Sequence, residues 1–209
     1  MKAREESRPE TLAELLASVR ACNACGRALP LGPRPVLQVS ESATILIASQ
    51  APGSKVHSTG VPFSDSSGDR LRHWMGLSGE EFYDERAVAI VPMGFCYPGR
   101  RGGGDAPPRV ECEPLWRNRL LRLLPNVRLT LLVGRYAQQH VLGPGALTPR
   151  VRNFRDYVPE YFPLPHPSWR SRLWEERNPW FRADVLPALR SAIERARAER
   201  PEREMEASK

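Results

Sequence analysis

Short apolar runs alternate with amphipathic stretches along this chain, and the alternation lays out its elements. Leu12, Leu15, Leu16 and Val19 recur at helical spacing behind Thr11-Leu-Ala-Glu14, a capping-box sequence, so a helix is predicted to start there. Residues 44–48 form a β-branched apolar run that predicts a buried strand, closed by the turn Ser49-Gln50-Ala51-Pro52-Gly53. Residues 69–77 predict a helix with Leu71, Trp74 and Met75 inward, and residues 88–91 a second buried strand. A loop rich in Gly and Pro follows over residues 92–108. Next come a helix over 112–124, a third strand over 129–133 and a helix over 135–142. A short fourth strand over 161–164 runs into Pro165-His166-Pro167-Ser168. The last helix is predicted over 179–198, with Asn178 as N-cap and Pro179 at the first helical position.

Strands alternating with helices predict an α/β fold: a three-layer α/β/α sandwich around a mostly parallel four-stranded sheet. Ligands of such folds bind beyond the carboxyl ends of the strands. The loops at Gln50, at residues 92–108 and at His166 are therefore expected to meet at one edge of the sheet. The 209 residues are expected to form one domain, with residues 1–10 and 199–209 as frayed tails.

The start of the chain is polar and charged, unlike a signal peptide, and no apolar run is long enough to span a bilayer. A cytoplasmic, nucleoid-associated monomer is the expectation. A net charge of +7, carried mostly by Arg, favours a polyanionic partner. The 21 prolines, placed mostly between apolar runs, suggest shaped loops rather than a disordered chain.

Four cysteines fall as Cys22-x-x-Cys25, then Cys96 and Cys112, with 70 and 15 residues in the two gaps. A close pair and two distant singles suit thiolates wrapped round a metal centre from several loops. An iron–sulfur cluster, a four-cysteine zinc site and unliganded core thiols all remain open, the dispersed spacing leaning toward a cluster. Structural disulfides suit a reducing compartment poorly.

In the loops, the sequence resembles the uracil-DNA glycosylase superfamily, most closely its iron–sulfur branch, family 4. The resemblance runs from about residue 12 to about residue 189. Ser49-Gln50-Ala51-Pro52-Gly53 stands where the family has its Gly-Glu/Gln-x-Pro-Gly turn, and Gly60-Val61-Pro62-Phe63 and Gly68-Asp69-Arg70-Leu71 match its next segments. His166-Pro167-Ser168 matches its late His-Pro-Ser/Ala motif, and the four cysteines match its cluster ligands in order. The resemblance implies a 4Fe–4S cluster on Cys22, Cys25, Cys96 and Cys112, with structural zinc as the alternative.

It also implies a monofunctional DNA glycosylase acting on DNA with a uracil or related deaminated base. Such an enzyme flips the nucleotide into a pocket, hydrolyses the N-glycosidic bond and leaves an abasic site for base excision repair. Phe63 is implied to stack on the flipped base, and His166 to aim a donor at its O2 as charge builds there. Backbone groups around Gln50, Ala51, Pro52 and Gly53 are implied to bind the base and position water. Ser168 is implied to contact a phosphate, and Trp169 or Arg170 to fill the gap left by the base. Arg100 and Arg101 form a second phosphate patch, and Arg172 is a further phosphate candidate. The family's acidic residues after Pro-Gly are replaced here by Ser54-Lys55-Val56-His57. Asp65 is the first choice for activating water, with His57 and Asp69 behind it. His57 also lies where a related branch has the histidine that links covalently to DNA. The family reads uracil with an Asn where this chain has Pro92, so base reading falls to backbone groups or another residue, or the preferred base is not uracil. The other reading left open is an iron–sulfur DNA-binding protein of the same fold without catalysis.

Overall fold

The computed structural model describes residues 10–198. The expected frayed tails lie outside these residues except for Glu10, whose carboxylate meets Arg119 at 2.5 Å. The described strands are β1 (Ile45–Ala48), β2 (Val88–Ile90), β3 (Arg100–Arg101), β4 (Gly104–Asp105), β5 (Leu129–Val133) and β6 (Tyr161–Leu164). Helices are α1 (Leu12–Arg20), α2 (Ser54–Thr59), α3 (Ser66–Met75), α4 (Gly79–Tyr83), α5 (Asn118–Arg122), α6 (Arg135–Leu142), α7 (Leu147–Arg152), α8 (Ser171–Arg177) and α9 (Leu186–Ala198).

The central sheet has the order β2-β1-β5-β6, and every pairing in it is parallel. Successive strand residues face opposite sides, so the apolar runs feed two cores. Ile45, Ile47, Val88, Ile90, Leu131 and Phe162 point to one side, where Leu71, Trp74 and Met75 of α3 and Leu189 and Ile193 of α9 cover them. Leu46 and Ala89 point to the other, under Leu12, Leu15 and Val19 of α1 and Leu120 of α5. Ala48 and Leu132 share that second side with Ala137 of α6. This is the expected three-layer sandwich. β1 lies between β2 and β5, so the chain departs to one side of β1 and returns on the other. The crevice at such a reversal of strand order is where open α/β sheets bind ligands.

Several boundaries differ from expectation. α3 starts at Ser66 rather than 69, because Asp65 is its N-cap and accepts from Gly68 N at 3.0 Å. The helix after Cys112 opens as a π-helical turn, Glu113–Arg117, before α5. Pro114 within it has no N–H for an ordinary helical bond. The last helix likewise opens as a π turn, Phe181–Val185, ahead of Pro187 in α9. Asn178 is not its cap: its side-chain amide donates back to Trp174 O at 2.7 Å. Segments read as connections form α2, α4, α7 and α8, and the loop over 92–108 folds into the antiparallel β3–β4 hairpin.

Candidate active site

A cavity of about 520 Å³ opens at the carboxyl ends of the strands. Its wall takes Gln50, Ala51, Pro52 and Gly53 from the turn after β1, Phe63 and Asp65 from the turn before α3, and Pro92 from the end of β2. Arg100 and Asp105 of the hairpin and His166, Ser168, Trp169 and Arg170 beyond β6 complete it. The three loops singled out from the sequence do meet at one edge of the sheet.

The turn after β1 is held by main chain. Met93 N donates to Ser49 O at 2.8 Å and Gly94 N to Gln50 O at 3.0 Å, so buried Pro92 sits where the two loops zip together. The side chain of Gln50 does not point free into the cavity. Its Nε2 donates to Ala106 O at 2.9 Å and ties the hairpin to the turn.

Phe63 has φ 53°, a left-handed conformation costly for a bulky residue. The surroundings impose it. Its carbonyl accepts from Arg72 Nη1 at 3.3 Å and Tyr83 Oη at 3.2 Å, and it packs onto Gly68. A Cβ at Gly68 would lie 1.7 Å from that oxygen, which explains glycine at the start of α3. The Phe63 ring meets Phe82 edge-on at 6.1 Å and also lines the cavity.

His166 follows β6, whose end is clamped by a buried glutamine absent from the sequence reading. Gln138 Nε2 donates to Leu164 O at 2.8 Å and Leu132 O at 3.3 Å, binding the ends of β5 and β6 together. Gly134, at φ 84°, lets the chain turn into α6 directly beside the histidine, where a Cβ would touch His166 Cβ and Cδ2 at 3.4 Å. Ser171 Oγ donates to the His166 carbonyl. Burial pushes the imidazole below its ordinary value, against the opposing pull of Asp65 and Asp105. That direction favours the neutral imidazole at neutral pH, which keeps one ring N–H to donate.

The hairpin was missed, although its signal was present. Gly102 and Gly103, with φ 57° and 78°, form a two-residue turn between the pairs Arg101↔Gly104 and Arg100↔Asp105. Two adjacent positive-φ residues suit the primed turns of tight hairpins, and Gly-Gly supplies them. The hairpin brings in Asp105, which the sequence reading did not select. Its carboxylate lines the cavity and is pushed above its ordinary value, chiefly by burial, while His166 and Arg100 pull the other way. Arg170 Nη2 donates to Gly103 O at 2.7 Å, so that guanidinium rests on the hairpin. Trp169 is 73% exposed at the rim.

Other residues considered from the sequence lie elsewhere. His57 and Asp69 are outside the cavity lining, Asp69 pairing with Arg72 at 2.5 Å. Arg172 lines a separate groove with Arg70, His73, Arg182 and Arg190. Ser168 lines the cavity, and its carbonyl accepts from Arg70 Nη1 at 3.2 Å.

Cys22, Cys25, Cys96 and Cys112 are free thiols that line one small pocket with Phe95, Arg109 and Trp116. Trp116 Nε1 reaches Cys22 Sγ at 3.2 Å and Phe95 N reaches Cys112 Sγ at 3.5 Å. Burial pushes Cys112 up to about 11, and Cys96 upward as well. Among the described residues, no group of three or more His, Cys, Asp or Glu is set to hold a single metal ion. Four sulfurs sharing one pocket with N–H donors aimed at two of them nonetheless form a donor set suited to an iron–sulfur cluster. No described helix is long and apolar enough to cross a membrane.

Residues 37–190 match the model of the uracil DNA glycosylase superfamily. The chain also matches the solution NMR structure of a "putative Uracil DNA glycosylase" from Methanosarcina acetivorans, at 16% identity and a TM-score of 0.43, covering 74% of this chain and 93% of that one.

Proposed function

The chain belongs to the uracil DNA glycosylase superfamily, and on that premise we propose that it hydrolyses the N-glycosidic bond of uracil or another deaminated base in DNA. The observation that carries this reading is the convergence of Phe63 and His166 on one cavity of about 520 Å³. That volume falls in the range of ordinary ligand pockets and has room for a flipped nucleotide. Phe63 offers its face to the base, a stack worth about 1–3 kcal/mol. As the C1′–N bond breaks, its electron pair leaves with the base. The N–H of neutral His166 meets the charge that develops on the base oxygen, and a donor so placed accounts for about 10²–10³ in rate. Exposed Trp169 is the wedge for the vacated stack, because Arg170 is already engaged by Gly103. Pro92 has no side-chain amide for the base edge, so base reading rests on neighbouring main chain and side chains.

Cys22, Cys25, Cys96 and Cys112 are the proposed ligands of a 4Fe–4S cluster. The cluster would join the segment after α1 to the loop after β2 and to the entry of the π turn, a structural role. Iron and sulfide analysis, with the visible absorption of the purified protein, separates it from zinc.

The activity is tested with single- and double-stranded oligonucleotides carrying uracil, hypoxanthine or xanthine. Alkali-labile strand cleavage at one of these bases, reduced about 10²–10³-fold in His166→Ala, is expected. No cleavage at any of them, with salt-dependent DNA binding retained, would replace this reading with a binding protein.

A further inference from the structure

We propose that Asp105, on the hairpin after β2, is the catalytic carboxylate that holds the attacking water and takes its proton. The inference rests on the glycosylase reading and moves the water-activating role from Asp65, the first choice from the sequence, to Asp105.

Hydrolysis needs a water on the side of C1′ opposite the departing base, and an acceptor for its proton. Two carboxylates of the cavity converge on Gly53: a Cβ there would lie 3.6 Å from Asp105 Oδ2 and 3.9 Å from Asp65 Oδ2. They are not equivalent. Asp65 already spends Oδ1 on Gly68 N as the N-cap of α3. Asp105 has no side-chain hydrogen bond among the described residues and stays open to solvent through the mouth of the cavity. Its position is nevertheless set, because two contacts from opposite walls hold the hairpin. Gln50 Nε2 bonds Ala106 O, next in the chain, and Arg170 Nη2 bonds Gly103 O, two residues before. Ala106 N closes the hairpin base on Gly99 O at 2.8 Å.

The titratable groups facing Asp105 are His166, Arg100 and Asp65. Partial burial first, and then Asp65, raise its affinity for a proton, while His166 when protonated and Arg100 lower it, and the balance lies upward. DNA closing over the mouth removes more water and moves it further in that direction. A carboxylate so raised is a better base than an ordinary aspartate. In the step itself, the water oxygen bonds to C1′ and one water proton passes to Asp105. The C1′–N bond breaks with its electrons on the base, which His166 steadies. The Asp105 proton then returns to the base or to solvent, so no other reactant is required.

The test is single-turnover base release by the cluster-loaded protein across pH, on whichever of the uracil, hypoxanthine and xanthine oligonucleotides the wild type cleaves. Asp105→Asn is expected to lose about 10²–10⁴-fold in rate, with its DNA affinity and melting temperature kept. It should also lose the acid limb of the wild-type pH profile. Asp65→Asn, which still caps α3, is expected to keep that limb. An active wild type whose rate and acid limb survive Asp105→Asn overturns the assignment and leaves the glycosylase reading standing. A wild type that releases no base overturns both.

Discussion

Residues in this site are defined as much by their neighbours' limits as by their own chemistry. Gly68 is the sharpest case, since any Cβ there would strike the Phe63 carbonyl at 1.7 Å. Gly68→Ala is expected to move Phe63 off the cavity wall and to lower stability by about 1–3 kcal/mol, as overpacking does. The check is chemical denaturation alongside binding of a nucleotide-length probe, both weakened together. His166 makes a pH prediction of a definite sign. Its native value lies below its ordinary 6.5, so between those two values the unfolded chain binds a proton that the folded chain does not. Stability therefore rises with pH through that window and is lost as pH falls below about 6.5. In His166→Gln this part of the slope is expected to vanish, which urea melts at about pH 5 and pH 7 would detect.

Elements show how far the chain's pattern could be read. The strand runs and the capping box at Thr11 were legible because apolar period and cap chemistry act locally. The helix signal of α3 was placed three residues late, since Asp65 and Asp69 are both plausible caps until Gly68 N chooses between them. Asn178 has the sequence of a cap, but Trp174 O claims its amide. No local pattern announces such tertiary claims. The hairpin matters most, because its Gly-Gly turn is also ordinary composition for a loop rich in Gly and Pro, and Asp105 comes with it. Gln50 shows the same limit. Its side chain anchors Ala106 O on the hairpin, a contact between two loops, while the residue still lines the cavity. Gln50→Ala is accordingly expected to raise hydrogen exchange across β3 and β4 while the central sheet stays protected. The rate of base release should fall with little change in melting temperature.

At the scale of the molecule, one sheet edge serves the site while the four cysteines gather in a separate small pocket. Cys112 belongs to the core that buries Leu12, Leu15 and Val19 of α1. If the four thiols hold a cluster, its removal by a chelator should free α1 and the segment after it. Hydrogen exchange should rise there, along with loss of visible absorbance, before it rises in β1 or β5. The chain's net charge of +7 favours a polyanionic partner such as DNA. Arg172 sits in the Arg-rich groove beside α3 and α9 without touching the cavity. Arg172→Ala is expected to weaken binding of all DNA sequences alike and to reduce the salt dependence by about one phosphate contact, leaving the rate at saturation unchanged.

In the proposed reaction this cavity breaks the bond between base and sugar. This step is tested most directly by mass detection of the small molecule released when cluster-loaded protein meets DNA containing a deaminated base. Free base in solution and an abasic site in an intact strand are expected, with release falling about 10²–10³-fold in His166→Ala. Release of a nucleoside or nucleotide, or equal release of free base by His166→Ala, would contradict it.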